Sequence, residues 1–483
     1  ALKAGYSLMP GVRDVSLGVR ESGIFGANYS GLGFQVLGVD AQEFQYFAWY
    51  RDDFSEHTLP EVMRALLPVT INSPIELPAD SAEIGLFVKP EFRLPNVFVW
   101  VVVQDAFGTT ETISLGEVGE PEWHRLDGPV PSRLVSPLEL VSVQIFEPVF
   151  GPTGTPGVIA FDDIHVLDSH GEVIVIENFE DNRTSWLALA TSSISIDTIH
   201  ASDEDALFGE RSGVFRFGKD TDNGIRGMYR SPGGGPVPIV ASSSFMESTG
   251  TLLGDPIIVQ IRNRFVPVVV QDVVNYFPTL NPRGSGFIIA DMETLIAHIN
   301  MLSINSNTIP NELYISQAPA AGDAVRNIVV RMVGQGGVSD RVMQMEELRL
   351  DPLITAGWQA MVLLAAIVII FTAGLGYVTY LLAFAERSRS EMGFLQSLGL
   401  SRSQMTRMIT MEHLVIVVIG LTLGTVTGWI MSDLMVSSVA VTQDGLEVIP
   451  PFILQTDLSF LLPIYAALIG IFLLSIYRLT RSM

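Results

Sequence analysis

Three stretches of the chain contain no Asp, Glu, Lys, Arg or His: Ala360 to Ala385, Leu414 to Ser432 and Leu458 to Tyr477. At 26, 19 and 20 residues, each has about the length at which a helix rising 1.5 Å per residue crosses a hydrocarbon core of roughly 30 Å. A core helix of a soluble domain would show a polar face over such a length, and none of the three does. The pattern predicts membrane spans at about 359–385, 413–433 and 458–478. Trp358 before the first span, and Tyr477 with Arg478 at the end of the third, occupy the places of interfacial anchors.

Basic residues orient these spans. The link between the first two carries Arg387, Arg389, Arg402 and Arg407, and the tail carries Arg478 and Arg481. The link between the second and third, Val436 to Thr456, has Asp444 and Glu447 and no Lys or Arg. The positive-inside rule places the first link and the C-terminus in the cytoplasm, hence residues 1–353 outside, in a cell membrane crossed several times. An outward route for 353 residues implies a further span before Ala1.

The outer region holds 22 Lys and Arg against 45 Asp and Glu, which accounts for nearly all of the net charge of −24. Such acidity argues against a nucleic-acid partner and against docking on anionic lipid. Cysteine is absent, so disulfides and cysteine metal sites are excluded and the exported part must be held by its core.

Within that outer region the texture changes twice. Residues 1–71 read as the first part of an α/β core, with a helical pattern in HTLPEVMRALLP. From 72 to 230 short strands alternate with Gly, Pro and Asp: IGLFVKP, VFVWVVVQD, LVSVQIFEP, GVIAFDDIHVLD, EVIVIENF and SGVFRFG. Strands at such spacing predict an antiparallel β-sandwich. Residues 231–353 return to an α/β pattern after the turn SPGGGPVP, and 354–483 form the transmembrane part. The expected class is an α+β extracytoplasmic domain with an inserted sandwich, followed by a bundle of three transmembrane helices.

FDDIHVLDSHG resembles the late strand of carbohydrate-binding-like jelly rolls, although ENFEDNRTSW, which usually comes first there, follows it here; a circularly permuted insertion accounts for the order. Trp100, Trp123 and Trp186 sit beside apolar strand residues and read as core rather than as sugar platforms. Asp162 and Asp163 are either a weak candidate for a structural calcium, as hard oxygen ligands, or one inward and one outward residue of a strand. GVFRFGKD has the spacing of a phosphate-binding loop, but its bulky residues make a strand and Asp220 stands where a hydroxyl is required. The seven His residues form no ligand pattern, and neither a nucleophile elbow nor an acid and base pair is legible. The chain reads as non-catalytic, with no cofactor and no further metal site.

Between the first two spans lies ERSRSEMGFLQSLGLSRSQM, residues 386–405. Its first half continues the helical phase of the span, Gly399 supplies a stop, and Ser401 with Gln404 forms an S-x-x-Q start of the next helix. The stretch is a helical elbow at the membrane surface, and Phe394, Leu395 and Leu398 form its apolar face among cations, suited to headgroups or to a partner's groove.

ERSRSEMGFLQSLGLSRSQMTRMITMEHLVIVVIGLTLG resembles the signature of FtsX-like permease domains of ABC transporters, with Glu391, Gly393, Leu395, Leu398, Gly399, Ser401, Glu412, Gly420 and Gly424 on the pattern. The likeness covers about 130 C-terminal residues, and a weaker one to the extracytoplasmic core of MacB-like proteins covers about 1–70 and 236–350. The resemblance implies a permease subunit, a homodimer or a heterodimer with a second permease, that docks on a separate cytoplasmic ABC ATPase. The implied coupling elbow comprises Glu391, Gly393, Phe394, Leu395, Leu398, Gly399, Ser401 and Gln404. The work implied is export, lipoprotein handling or mechanotransmission. The alternative is a membrane-anchored extracytoplasmic binding or sensor protein for glycan or envelope components, for which three patterned spans are superfluous.

Overall fold

The computed structural model describes residues 2–26, 31–68, 75–148, 156–180, 186–192, 196–218, 225–230, 235–301, 307–318, 321–347, 352–439, 448–451, 453, 456 and 458–482. Outside them lie 231–234 of the SPGGGPVP turn, Lys219 and Asp220 of GVFRFGKD, and Asp444 and Glu447 of the second link. The chain forms two compact units, Ala1–Val329 and Val330–Met483.

The first unit opens with helix α1 (Leu2–Ser7), strands β1 (Val12–Phe25) and β2 (Leu32–Val39), and helix α2 (Leu59–Ala65). Pro60 falls in the first turn of α2, and the Glu61 carboxylate accepts the Thr58 N–H at 2.9 Å, so two local signals start this helix. Twelve strands follow: β3 (Ile75–Leu77), β4 (Ser81–Pro90), β5 (Leu94–Gln104), β6 (Thr110–Gly119), β7 (His124–Pro129), β8 (Leu138–Phe146), β9 (Gly157–Asp168), β10 (Val173–Glu177), β11 (Trp186–Ala188), β12 (Thr198–Ser202), β13 (Ser212–Phe217) and β14 (Ile225–Arg230). They make two six-stranded antiparallel sheets, one ordered β12-β13-β9-β4-β7 with β10 on β9, the other β11-β14-β8-β5-β6 with β3 on β8. Their alternating inward residues meet in one core that includes Ile84, Leu86, Val101, Phe161, Phe179, Trp186 and Phe215.

The α/β pattern then resumes as β15 (Val237–Ser242), α3 (Ser243–Thr249), β16 (Pro256–Ile261), β17 (Arg264–Val274), β18 (Phe287–Asp291), α4 (Met292–Met301), β19 (Glu312–Gln317) and α5 (Gly322–Val333). These strands join β1 and β2 in a seven-stranded sheet ordered β16-β17-β15-β18-β2-β1-β19, and a second pairing of β16 with the end of β1 curls it back on itself. One face packs Val36, Ile239, Val268 and Ile288 against Leu295 and Ile299 of α4. The other packs Leu37, Val240 and Ile289 against Val62, Met63 and Leu66. Parallel pairs β15–β17 and β18–β2 are thus covered on both faces, as their near-continuous apolar sequences require.

In the second unit a short helix α6 (Arg341–Glu347) precedes α7 (Pro352–Ser397), α8 (Arg402–Val439) and α9 (Leu458–Ser482). All three long helices are apolar and long enough to cross a membrane, over Gln359–Ser388, Ser403–Met435 and Leu461–Arg478. At 46 residues, α7 is about 69 Å long, so more than half of it exceeds a hydrocarbon core of roughly 30 Å.

Of the tryptophans expected in the core, Trp186 is there, whereas Trp100, which alternates with the inward Val99 and Val101, and Trp123 are half-buried outside it. Trp100 stacks on Phe146 with ring centroids 4.3 Å apart, and Trp123 Nε1 donates to Asp205 at 3.3 Å. Adjacent apolar residues in sequence do not decide which face of a strand an aromatic side chain takes; the register does.

Candidate functional site

The elbow between α7 and α8 is built entirely from local hydrogen bonds. The Leu400 N–H donates to the Leu395 carbonyl at 3.3 Å and the Gly399 N–H to that of Gln396 at 3.0 Å, the paired bonds of a Schellman helix stop. Gly399 has φ +96°, a conformation in which a side chain would be strained. Two residues later, Gln404 Oε1 accepts the Ser401 N–H at 2.9 Å, and Ser401 Oγ accepts the Gln404 N–H at 3.3 Å. These reciprocal bonds satisfy donors at the start of α8.

With both helix ends closed, the elbow presents a defined surface. Phe394 is 65% and Leu398 64% exposed, Leu395 is half-buried, and Glu391, Gly393, Gly399, Ser401 and Gln404 are exposed. Behind it α8 turns Met405, Ile409 and His413 inward at helical spacing, where Ile409 meets Leu381 of α7 and the imidazole lies edge-on to Tyr377, Tyr380 and Phe384. Of the elbow's apolar side chains, Phe394 and Leu398 are thus left open to the surroundings.

In the first unit, β9 changes neighbours on one edge between Phe161, paired with β13, and Ile164, paired with β10. Asp162 and Asp163 occupy that gap. The buried Asp162 carboxylate accepts three backbone N–H groups, from Asp163 at 2.8 Å, Leu207 at 2.8 Å and Phe208 at 3.0 Å. Burial pushes this carboxyl above the usual carboxylate range, against the pull of those three donors. Asp163 is also pushed up, by its own burial and then by the charge of Asp162. Asp162 is thus occupied as a plug that pins the 203–211 loop to the sheet.

His165 reaches Asp127 at 3.1 Å across the intervening strand β4, over Gly85. A Cβ at Gly85 would lie 2.2 Å from Asp127 Oδ1 and 2.6 Å from the Leu126 carbonyl. His170 gathers with Asp80 and Asp168 at the exposed β9–β10 turn, where Asp168 also accepts the His170 and Glu172 N–H groups at 2.8 Å, an ordinary turn bond. His57 Nδ1 sits 3.0 Å from both oxygens of Asp272 and ties the start of α2 to β17. Sequence reading missed the His165–Asp127 contact because its partners are 38 residues apart; the only signal was a glycine inside an apolar strand.

Comparison with known families bears on the helical unit. Residues 363–483 match the model of the FtsX-like permease C-terminal domain. The helical unit is similar to that domain over these residues. The match begins inside α7 and takes in the elbow, α8 and α9, 121 of the 483 residues; together with three helices apolar and long enough to cross a membrane it supports a membrane protein with a large β-rich region ahead of those helices. That family is one of transporter membrane subunits, generally without catalytic activity of their own. No curated protein matches the chain.

Proposed function

We propose that the chain is the permease subunit of an ABC transporter and that a separate cytoplasmic ATPase docks on the elbow formed by Glu391, Gly393, Phe394, Leu395, Leu398, Gly399, Ser401 and Gln404. The observation that carries this reading is the exposure of Phe394 and Leu398 on a turn whose backbone is held by a Schellman stop and a capping box. An apolar surface on a rigid turn can transmit a push from a docked partner into α7 and α8 without first being ordered. The distribution of Arg387 and Arg407 supports a cytoplasmic elbow in a cell membrane, with residues 1–353 outside. The same proposal divides the chain into 1–71, 72–230, 231–353 and 354–483, pairs it with a second permease copy or a homologue, and assigns the outer part to export, lipoprotein handling or mechanotransmission.

The test is Phe394→Ala combined with Leu398→Ala in the full chain, coexpressed with its ATPase. Burying these two side chains in a partner groove at about 25 cal/mol per Å² is worth about 3 kcal/mol, and its loss weakens association roughly hundredfold. Copurification should vanish while expression and membrane insertion persist. Undiminished complex yield would refute ATPase docking at this site and favour an anchored binding protein.

A further inference from the structure

The two folded parts of the first unit touch where α4 meets β14, and a histidine without a charge partner among the described residues lies in that contact. His298, on the last turns of α4, is 6% exposed and faces Tyr229 of β14, ring centroids 5.1 Å apart at 85°. Around this contact Leu189 and Met301 are buried, with Leu187 and Val141 partly so. Gln144 of β8 donates to the Met301 carbonyl at 3.0 Å, and Thr110 at the start of β6 donates to Asn307 at 3.2 Å. Among the described residues the sandwich is thus seated on the curled sheet's helix by an apolar cluster and neutral hydrogen bonds, and contacts of this kind between folded parts of one chain commonly permit relative motion.

His298 can be neutral here but not comfortably charged. Its ring bonds the Phe265 backbone on one side, and Nε2 has no hydrogen-bond partner among the described residues. The described groups packed around the contact are uncharged: the Tyr229 phenol from β14, whose ionisation burial pushes up, Ser142 and Gln144 from β8, Leu187 and Leu189 in and after β11, and Met301 from α4 itself. On β17 the residue next to Phe265 is Arg264, a half-buried cation. Burial, partly offset by the Phe265 bond, takes the imidazole from 6.5 down to about 4. An imidazolium with a bare N–H between an aromatic ring and aliphatic side chains has neither water nor a counter-ion.

We propose that the seat of the sandwich on α4 is an acid-released latch: protonation of His298 breaks the Tyr229–His298–Met301 contact and unseats the sandwich from α4. The seated state keeps His298 neutral, whereas in the released state water reaches the ring and it takes up a proton near its ordinary 6.5. The seat is intact above pH 6.5 and weakens progressively as the pH falls towards 4. Each unit of pH in that window shifts the balance up to about tenfold, roughly hundredfold in all. The latch stands on this contact alone and is independent of the elbow and its ATPase.

The native absence of cysteine makes a direct test practical. Spin labels at Glu172→Cys on the sandwich and Ser248→Cys in the last turn of α3, both exposed positions, report the inter-domain distance in the full chain in detergent. A single short distance at pH 7.5 should give way to a longer, broader distribution at pH 4.5, reversibly and with unchanged far-ultraviolet circular dichroism. His298→Phe, which keeps a ring and removes the ionisable nitrogens, should hold the short distance at both pH values. His298→Leu serves the same purpose if the Phe variant lacks wild-type dichroism. Tyr229→Ala should show the long distribution already at pH 7.5. A wild-type distance that does not change with pH, or a change that survives both His298 replacements, overturns the proposal.

Discussion

Asp162→Asn is nearly isosteric, yet the hydrogen-bond pattern around Asp162 makes it damaging. Of the two carboxylate oxygens, Oδ1 accepts the Asp163 N–H and Oδ2 accepts both Leu207 and Phe208. Asparagine can keep one oxygen on one side only; its NH₂ then faces either two N–H donors or one, so at least one bond is lost and a donor is set against a donor. Bonds to a charged acceptor contribute about 1.5–3 kcal/mol each, so turning the amide towards Asp163, the lesser loss, still costs about 3 kcal/mol once the carboxylate charge is gone. The loss should be local, because Glu180 separately accepts the Glu210 and Arg211 N–H groups at 2.7 and 3.0 Å and holds the far end of the loop. Hydrogen exchange of a peptide covering 203–209 should therefore accelerate roughly hundredfold, while the β4 and β5 peptides exchange as in the wild type. Chelator should have no effect on either form if the carboxylate is spent on N–H groups, as the structure has it, and not on calcium. Exchange of 203–209 within threefold of wild type would refute the plug, and protection lost on adding chelator to the wild type would restore the cation.

Two further perturbations follow from glycines at which a side chain is strained. Gly85→Ala should push Asp127 away from His165 and strain the Leu126 carbonyl, destabilising the sandwich by about 2 kcal/mol or more and lowering the midpoint of thermal unfolding by about 4–8 °C; an unchanged midpoint would mean that β4 has room the structure does not show. Gly399→Ala should cost about 1–2 kcal/mol through its left-handed backbone and speed amide exchange at Leu400 roughly tenfold, with α8 still started by Ser401 and Gln404. Equal protection in the variant would show that the stop does not depend on the glycine.

The parts of this protein that its sequence determined are those whose causes are local. Three uncharged runs announce three helices because a lipid-facing helix must be apolar all round, and no distant contact alters that requirement. The elbow is likewise written within fifteen residues, since Gly399 and the Ser401–Gln404 pair close their own hydrogen bonds. Strand texture sufficed for a β-rich region because alternation and turn residues are short-range, although β6, β7, β12 and β14, with polar or glycine-interrupted sequences, gave little signal. Only the tertiary structure decided what depends on register and on chain crossings. That Trp186 lies inside while Trp100 and Trp123 do not, that Asp162 fills a gap where β10 succeeds β13, that Gly85 exists so that Asp127 can touch His165, and that His298 meets Tyr229 from 69 residues away all follow from pairings between remote segments. A one-residue slip would reverse each of the strand placements, and no property of the isolated segment selects the register that is adopted.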